Sequence, residues 1–278
     1  EAGAILPFAT GGIDFTLNPD GSVSPINRDQ FEFISDSGNL CGGAGCTPLD
    51  LDTFNQLQVP FERYTFDANF TFDINDNMTL YSENRYTNVE SSNQGQPSFD
   101  FLNLTIQPDN AFISPSLADA TQGIPFLIGR FNTDLGLRLE DNQRQTFRSV
   151  LGLRGTVADD WDYDVFANYG RTTSERINFN NRIDENFLAA VDSVAITQND
   201  IDNIAVGGFI SPTASTGDIV CRTSLQRALG ETPVLSNGSP APDFATSGCV
   251  PLNILGQGLA SQEAIDFIMS TAVATSTI

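Results

Sequence analysis

The chain has 278 residues and a formal net charge of -22, with 35 acidic residues against 13 arginines and neither lysine nor histidine. That imbalance makes nucleic acid and anionic lipid surfaces poor partners, and the missing histidine and lysine remove Ser–His and lysine-based nucleophiles. Hydrophobic residues make up 40% of the chain, enough for a fold and too many for disorder, and no apolar run reaches the roughly 18 residues of a membrane-spanning helix. The chain starts at Glu1 without a charged-then-apolar leader, so the expectation is that any export signal has already been removed.

The first 60 residues read as a long loop with turn chemistry at Asn18-Pro19-Asp20-Gly21. Cys41 and Cys46 bracket Gly42-Gly43-Ala44-Gly45, a short flexible stretch that a disulfide closes readily. Later in the chain Cys221 and Cys249 bracket another polar stretch. Four cysteines allow three pairings, of which the local one, Cys41 with Cys46 and Cys221 with Cys249, is expected in an oxidising compartment. A zinc site is the rival, but neither pair has CxxC spacing and no histidine is present to complete a ligand set. Gly42 to Gly45 also lacks the lysine of a phosphate-binding loop.

Residues 61–89 carry the clearest pattern. Tyr64, Phe66, Ala68, Phe70, Phe72 and Ile74 alternate without an error against Arg63, Thr65, Asp67, Asn69, Thr71 and Asp73, which predicts a long strand with one apolar face. Strands of soluble proteins usually run five or six residues, whereas a tilted strand crossing a bilayer needs about nine to eleven. Asn75-Asp76-Asn77 is a turn, after which Met78, Leu80 and Tyr86 resume the apolar face. With the tip at Asp76, Ile74 faces Met78, Phe72 faces Leu80, Phe66 faces Tyr86 and Asp67 faces Arg85. Asp73-Ile74-Asn75-Asp76-Asn77 echoes the start of a calcium loop, but Met78 stands where its glycine belongs and Asn84 where its glutamate belongs, so turn is the reading.

After a long stretch at 90–144, residues 145–183 repeat the arrangement. Phe147, Leu151, Leu153 and Val157 share one parity and Arg148, Arg154 and Thr156 the other. Past Ala158-Asp159-Asp160, Trp161, Tyr163, Val165, Ala167 and Tyr169 alternate with Asp162, Asp164 and Asn168. A tip at Asp159 sets Leu153 opposite Val165, Val157 opposite Trp161 and Arg154 opposite Asp164. Val150 and Phe166 interrupt the polar face, so that face is expected to be partly covered by protein. Residues 184–278 form a third long stretch, with helical patterns at 185–194 and at 261–269 behind a capping Ser261. Asp200-Ile201-Asp202-Asn203 reads as a turn, and the glycosylation triplets at Asn69, Asn77 and Asn103 are common by chance.

The predicted fold class is therefore all-β, with long antiparallel amphipathic hairpins from a transmembrane β-barrel and long external loops carrying short helices. Short turns belong at the periplasmic rim and long excursions outside, which assigns 1–60, 90–144 and 184–278 to external loops. Tyr64, Tyr86 and Tyr169 near one end, and Trp161 and Tyr163 near the other, suit two aromatic girdles. Amphipathic hairpins also build soluble sandwiches, although a sandwich of this length would show many short, evenly spaced strands.

Val59-Pro60-Phe61-Glu62-Arg63-Tyr64, Gln145 through Gly155, Trp161-Asp162-Tyr163-Asp164 followed by Asn168 through Thr173, and Gly248-Cys249-Val250-Pro251-Leu252-Asn253 together resemble the barrel portion of TonB-dependent outer-membrane receptors. The likeness is greatest to the large receptors of alphaproteobacteria and spans about residues 59 to 270. It implies a parent barrel of about 22 strands around a plug that imports scarce nutrients, such as a siderophore or sugar, with a lipid bilayer and the TonB system as partners. Neither a plug nor a TonB-contacting segment is visible, so the expectation is a fragment of the barrel region, not competent for transport and without catalysis, cofactor or bound metal.

Such a fragment has an exposure problem. The apolar side chains of the first strand represent roughly 10 kcal/mol of burial, and open strand edges invite pairing. Two further readings stay open: copies of the chain assembling by edge or face into an extracellular filament or tube, and a soluble β-rich adhesive protein.

Overall fold

A computed structural model describes residues 3–7, 15–25, 32–34, 39–41, 53–54, 56–158 and 161–278. Strands β1 (Gly3–Pro7), β2 (Phe15–Leu17), β3 (Val23–Pro25), β4 (Glu32–Ile34) and β5 (Asn39–Cys41) come first. The long β6 (Phe61–Asn75) and β7 (Met78–Pro97) are followed by β8 (Phe99–Ile106), helix α1 (Pro115–Thr121) and β9 (Phe126–Phe131). Next are β10 (Leu137–Val157), β11 (Trp161–Arg182), α2 (Asp184–Val191), β12 (Ser193–Ala195), α3 (Gln198–Asp202), β13 (Ile219–Cys221), α4 (Arg222–Ala228), α5 (Gln262–Ile268) and β14 (Met269–Thr277). The chain is mostly β with antiparallel pairing, and it divides into two compact units.

The first unit gathers Glu1–Asn55, Gln96–Arg138 and Asn180–Ser270. Its sheet runs in the order β3-β2-β1-β9-β8. In β9, Phe126, Ile128 and Arg130 point inward while the residues between them are half-buried. Phe126 and Ile128 join Ile5, Leu17, Leu104, Phe187, Leu252 and Ile268 in one core. Arg130 is buried in the same row, and its two terminal nitrogens donate to the carbonyls of Ile254 (2.5 Å) and Gly256 (2.9 Å) and to the Asp134 carboxylate, while its Nε has no partner. A buried cation is tolerable only when most of its donors and its charge are met in this way. Between Asp100 and Leu104 the register with β9 slips, and Leu102 adopts a positive φ of 49°. Gly129 makes room for this bulge, since a Cβ there would lie 2.8 Å from the Leu102 nitrogen.

Local chemistry sets the helices of this unit. Ser114 accepts from the Leu117 N–H ahead of Pro115, the pairing of cap and first-turn proline that starts α1. Ser261 accepts from the Ala264 N–H and starts α5. The helix expected over 185–194 is shorter, ending at Val191, because Asp192 turns to Arg222 and Ser193–Ala195 enters a two-stranded ladder with β13. Cys221 and Cys249 form a disulfide. The expected Cys41–Cys46 pairing concerns side chains outside the described residues. The stretches expected as external loops, 90–144 and 184–278, thus contribute strands, helices and much of a common core.

The second unit comprises Gln56–Gly95, Leu139–Phe179 and Thr271–Ile278. Its sheet has the order β14-β11-β10-β7-β6 and, among the described residues, stays open with β6 and β14 at its edges, so no closed barrel forms. β6, β7, β10 and β11 run for 15, 20, 21 and 22 residues, several times the usual strand length. β14 is a fifth strand that periodicity does not announce, Met-Ser-Thr-Ala-Val-Ala-Thr-Ser-Thr being nearly featureless.

Candidate interaction surface

In the first hairpin Phe66 faces Tyr86, Phe72 faces Leu80 and Asp67 faces Arg85. The expected Ile74–Met78 pair does not form. The register shifts between Asp73 and Asn75, and Asn75 faces Met78 across a tight turn at Asp76 and Asn77. The cause is the asparagine: Asn75 Oδ1 accepts from the Asn77 N–H at 2.9 Å, so the turn begins one residue later and Ile74 is left as a bulge. In the second hairpin Leu153 faces Val165, Arg154 faces Asp164 and Val157 faces Trp161. The turn itself, at Asp159 and Asp160, lies outside the described residues.

The two hairpins lie side by side with their turns at one end of the sheet. Thr156 N–H donates to the Asn77 carbonyl (3.1 Å), Ser149 Oγ to Asn84 Oδ1 (2.7 Å) and Gln143 Nε2 to Glu90 Oε1 (2.9 Å), which makes β7 and β10 antiparallel. One face of the sheet therefore collects the apolar residues of all four strands. Tyr64, Phe66, Phe70, Phe72 and Ile74 are exposed on β6, as is Leu80 on β7; Leu151 on β10 and Trp161 and Val165 on β11 complete the patch. Trp161 is 75% exposed and Phe66 68%, values foreign to a packed face. Leu153 and Tyr163 are half-buried.

These residues do not fill the strands. They occupy 64–74 on β6, 78–86 on β7, 147–157 on β10 and 161–169 on β11, always the part next to the turn. Away from the turns the strands become polar, with Thr87-Asn88 and Glu90-Ser91-Ser92-Asn93-Gln94 on β7 and Arg171-Thr172-Thr173-Ser174-Glu175-Arg176 on β11. The result is an apolar band about ten residues tall, which takes up most of β6 and about half of β7, β10 and β11.

The opposite face holds polar contacts. Arg85 Nε lies 2.5 Å from Asp67 Oδ1 as a cross-strand ion pair. Arg154 and Asp164 are in register, yet the expected ion pair between them is not made. Tyr81, reaching across from β7, donates its hydroxyl to Asp164 Oδ1 at 2.7 Å, and the Arg154 guanidinium sits 5.5 Å from the centre of the Tyr81 ring. Gly152 on β10 permits this, because a Cβ there would fall 2.2 Å from the ring. An aromatic side chain lying over a strand glycine restores the packing that glycine omits. Tyr81 and Gly152 escape sequence reading, since nothing in one strand marks the ring that will cross to it from another.

The sheet edges are exposed within the apolar band. Thr172 and Ile278 exchange both backbone bonds at 2.9 Å, so β14 accompanies the part of β11 beyond the band. β6 has no outer neighbour along its whole length among the described residues.

The first unit carries a separate cavity of about 590 Å³ lined in part by Asp100, Arg182, Asp184, Asn237 and Phe244. Arg182 is committed there to Asp100 (2.7 Å) and Asp184 (2.8 Å) and lies 4.2 Å from the Phe187 ring. Elsewhere in this unit Arg222 bridges two carboxylates, binding Asp109 through both terminal nitrogens and Asp192 through Nε. The hydrogen bonds from Arg222 hold the Asp109 carboxyl below its usual range, whereas burial pushes Asp192 up. Among the described residues no group of three or more His, Cys, Asp or Glu is gathered to hold a metal. No protein-family model, curated protein or solved structure matches the chain.

Proposed function

We propose that the five-stranded unit is a section of the wall of an outer-membrane β-barrel of the TonB-dependent receptor kind, whose parent imports a scarce nutrient. The observation that carries this reading is the apolar band: on one face of four adjacent strands the apolar side chains lie within about ten residues of the turn, interrupted only by small polar groups such as Ser149 and Asn84, which bond to each other. A strand needs about nine to eleven residues to cross the hydrocarbon at the usual tilt, so the height of the band matches a bilayer and not a second sheet of arbitrary size. The short turns then belong at the periplasmic rim, and the polar portions of the strands outside. A wall of this kind contributes passive enclosure; transport would be a property of the parent, with its plug and TonB contact.

The chain has a single tryptophan, Trp161, at the turn end of the band, which provides the test. In vesicles of brominated lipids, Trp161 should be quenched by bromines near the headgroups. A W161F/F70W variant, with its tryptophan at mid-band, should be quenched best by bromines deep in the acyl chain, and W161F/T71W, on the other face, by neither. Equal or absent quenching at positions 70 and 71 defeats the reading.

The exposed edges favour a second reading, assembly of copies of the chain through their strands. β6 offers an edge of fifteen residues on which every second N–H and C=O points away from β7, and strands in this condition recruit others unless charge, proline or a bulge blunts them. Here the bulge at Ile74 touches only the last turn of the edge.

A further inference from the structure

We infer that β6 is a self-complementary edge, which pairs antiparallel with β6 of a second copy about a two-fold axis through Ala68. The inference rests on the second reading above and names its register. Ala68 is the middle residue of the fifteen in Phe61–Asn75, and from Arg63 to Asp73 the sequence mirrors itself about it, although the outermost pairs, Glu62 with Ile74 and Phe61 with Asn75, do not match. Placed antiparallel about this point, Arg63 meets the other copy's Asp73, Tyr64 its Phe72, Thr65 its Thr71, Phe66 its Phe70 and Asp67 its Asn69. Each of these five pairs joins like polarity on the same face, and four are of a kind that stabilises neighbouring strands: aromatic with aromatic, threonine with threonine, cation with anion.

The ends of the match decide the register. Among the described residues Arg63 has no carboxylate partner, its Nε donating only to Thr65 at 3.3 Å, and Asp73 accepts only from Thr79 at 2.7 Å. The two-fold brings these groups together twice. Asp67, nearest the axis, is already neutralised by Arg85, so the two copies do not oppose bare carboxylates at the centre. Pairing β6 with the free part of another copy's β11 offers no match of this length: the register that sets Arg63 against Asp164 and Phe66 against Trp161 leaves residues 67–75 beyond the end of β11. With the apolar faces aligned, one register sets Asp73 against Asp162, another Asp67 against Asp164, and the one between them Asp67 against Phe166. β14 is only nine residues long and carries no charge.

A two-fold perpendicular to the sheet keeps both apolar faces on one side but points the two sets of turns in opposite directions. The pair therefore forms between copies in solution or in detergent micelles, and not between copies inserted the same way into one membrane. It is a closed, isologous contact that yields dimers and no filament.

The full chain in detergent, which covers the apolar face and isolates the edge, supplies the test. A68C should give a disulfide-linked dimer on mild oxidation, because its own copy lies opposite, while T65C, whose counterpart lies opposite residue 71, should not. By sedimentation, R63D and D73R should each weaken the dimer about tenfold by opposing like charges, the size expected of about 1.4 kcal/mol, and R63D/D73R should restore it. A monomer in detergent overturns both this register and the assembly reading. Oligomers in which A68C fails to cross-link, or in which A68C/V165C cross-links where A68C alone does not, overturn the register and leave assembly standing.

Discussion

The two units handle apolar side chains in opposite ways. In the first, Phe126, Ile128, Phe187, Leu252 and Ile268 are wholly buried against one another. In the second, Val150 is the one apolar side chain among the buried hydrophobic residues, while Phe66, Phe70, Phe72, Trp161 and Val165 stand on the surface. The first unit brings its own apolar phase. The second is held by backbone ladders, cross-strand pairs and the Tyr81 bridge, and its apolar band must be covered by something outside the unit. Apolar side chains on strands are thus buried within one unit and left on the surface of the other.

Truncation in each unit should separate them most clearly. Phe126→Ala removes a fully buried ring and should cost about 3–5 kcal/mol in urea unfolding, whereas Phe70→Ala, at a side chain 65% exposed, should change stability in water by less than about 0.5 kcal/mol. The order should narrow in lipid vesicles, where Phe70 acquires an apolar environment. Comparable losses in water would show that the band is already covered by the chain itself.

A smaller effect is expected at the bridge within the sheet. Gly152→Ala pushes a methyl group into the Tyr81 ring and should cost about 1–3 kcal/mol, read as a lowered midpoint in thermal melts of the β signal. Tyr81→Phe, which deletes the hydroxyl bond to Asp164 and spares the ring, should cost less. If Gly152→Ala is neutral, the ring does not rest on β10.

The smallest effect is electrostatic and belongs to the first unit. Asp109 has a lowered pKa because of the bidentate bond from Arg222, so its stabilising contribution is complete above the unfolded carboxylate value of about 3.9 and disappears as pH falls through the lower folded value. Asp192, pushed up by burial, has the opposite sign: its contribution favours the protonated form and is lost as pH rises from below about 3.9 through the raised value. The stability difference between the unmodified chain and Asp109→Asn should therefore be constant at neutral pH and vanish in acid, in unfolding curves taken across that range. A difference that persists at the lowest pH would deny the Arg222 contact its role.

The sequence by itself determined what depends on neighbours along the chain. Period-two alternation and a turn place Phe66 opposite Tyr86 and Leu153 opposite Val165, because a slip of one residue would turn every apolar side chain to the wrong face. Even there a single asparagine moved the end of the ladder, as the displaced Ile74 records. The remaining features depend on residues far apart in the chain. Residues 97–138 and 180–270 look irregular because their strands are short and each buries its apolar side against segments a hundred residues away, as Arg130 does with the carbonyls of Ile254 and Gly256. Tyr81 intercepts Asp164 before Arg154 can, and β14 finds β11 through backbone bonds that no side chain announces. Local pattern sets which face of a strand is apolar; long-range packing sets what that face and its edges meet.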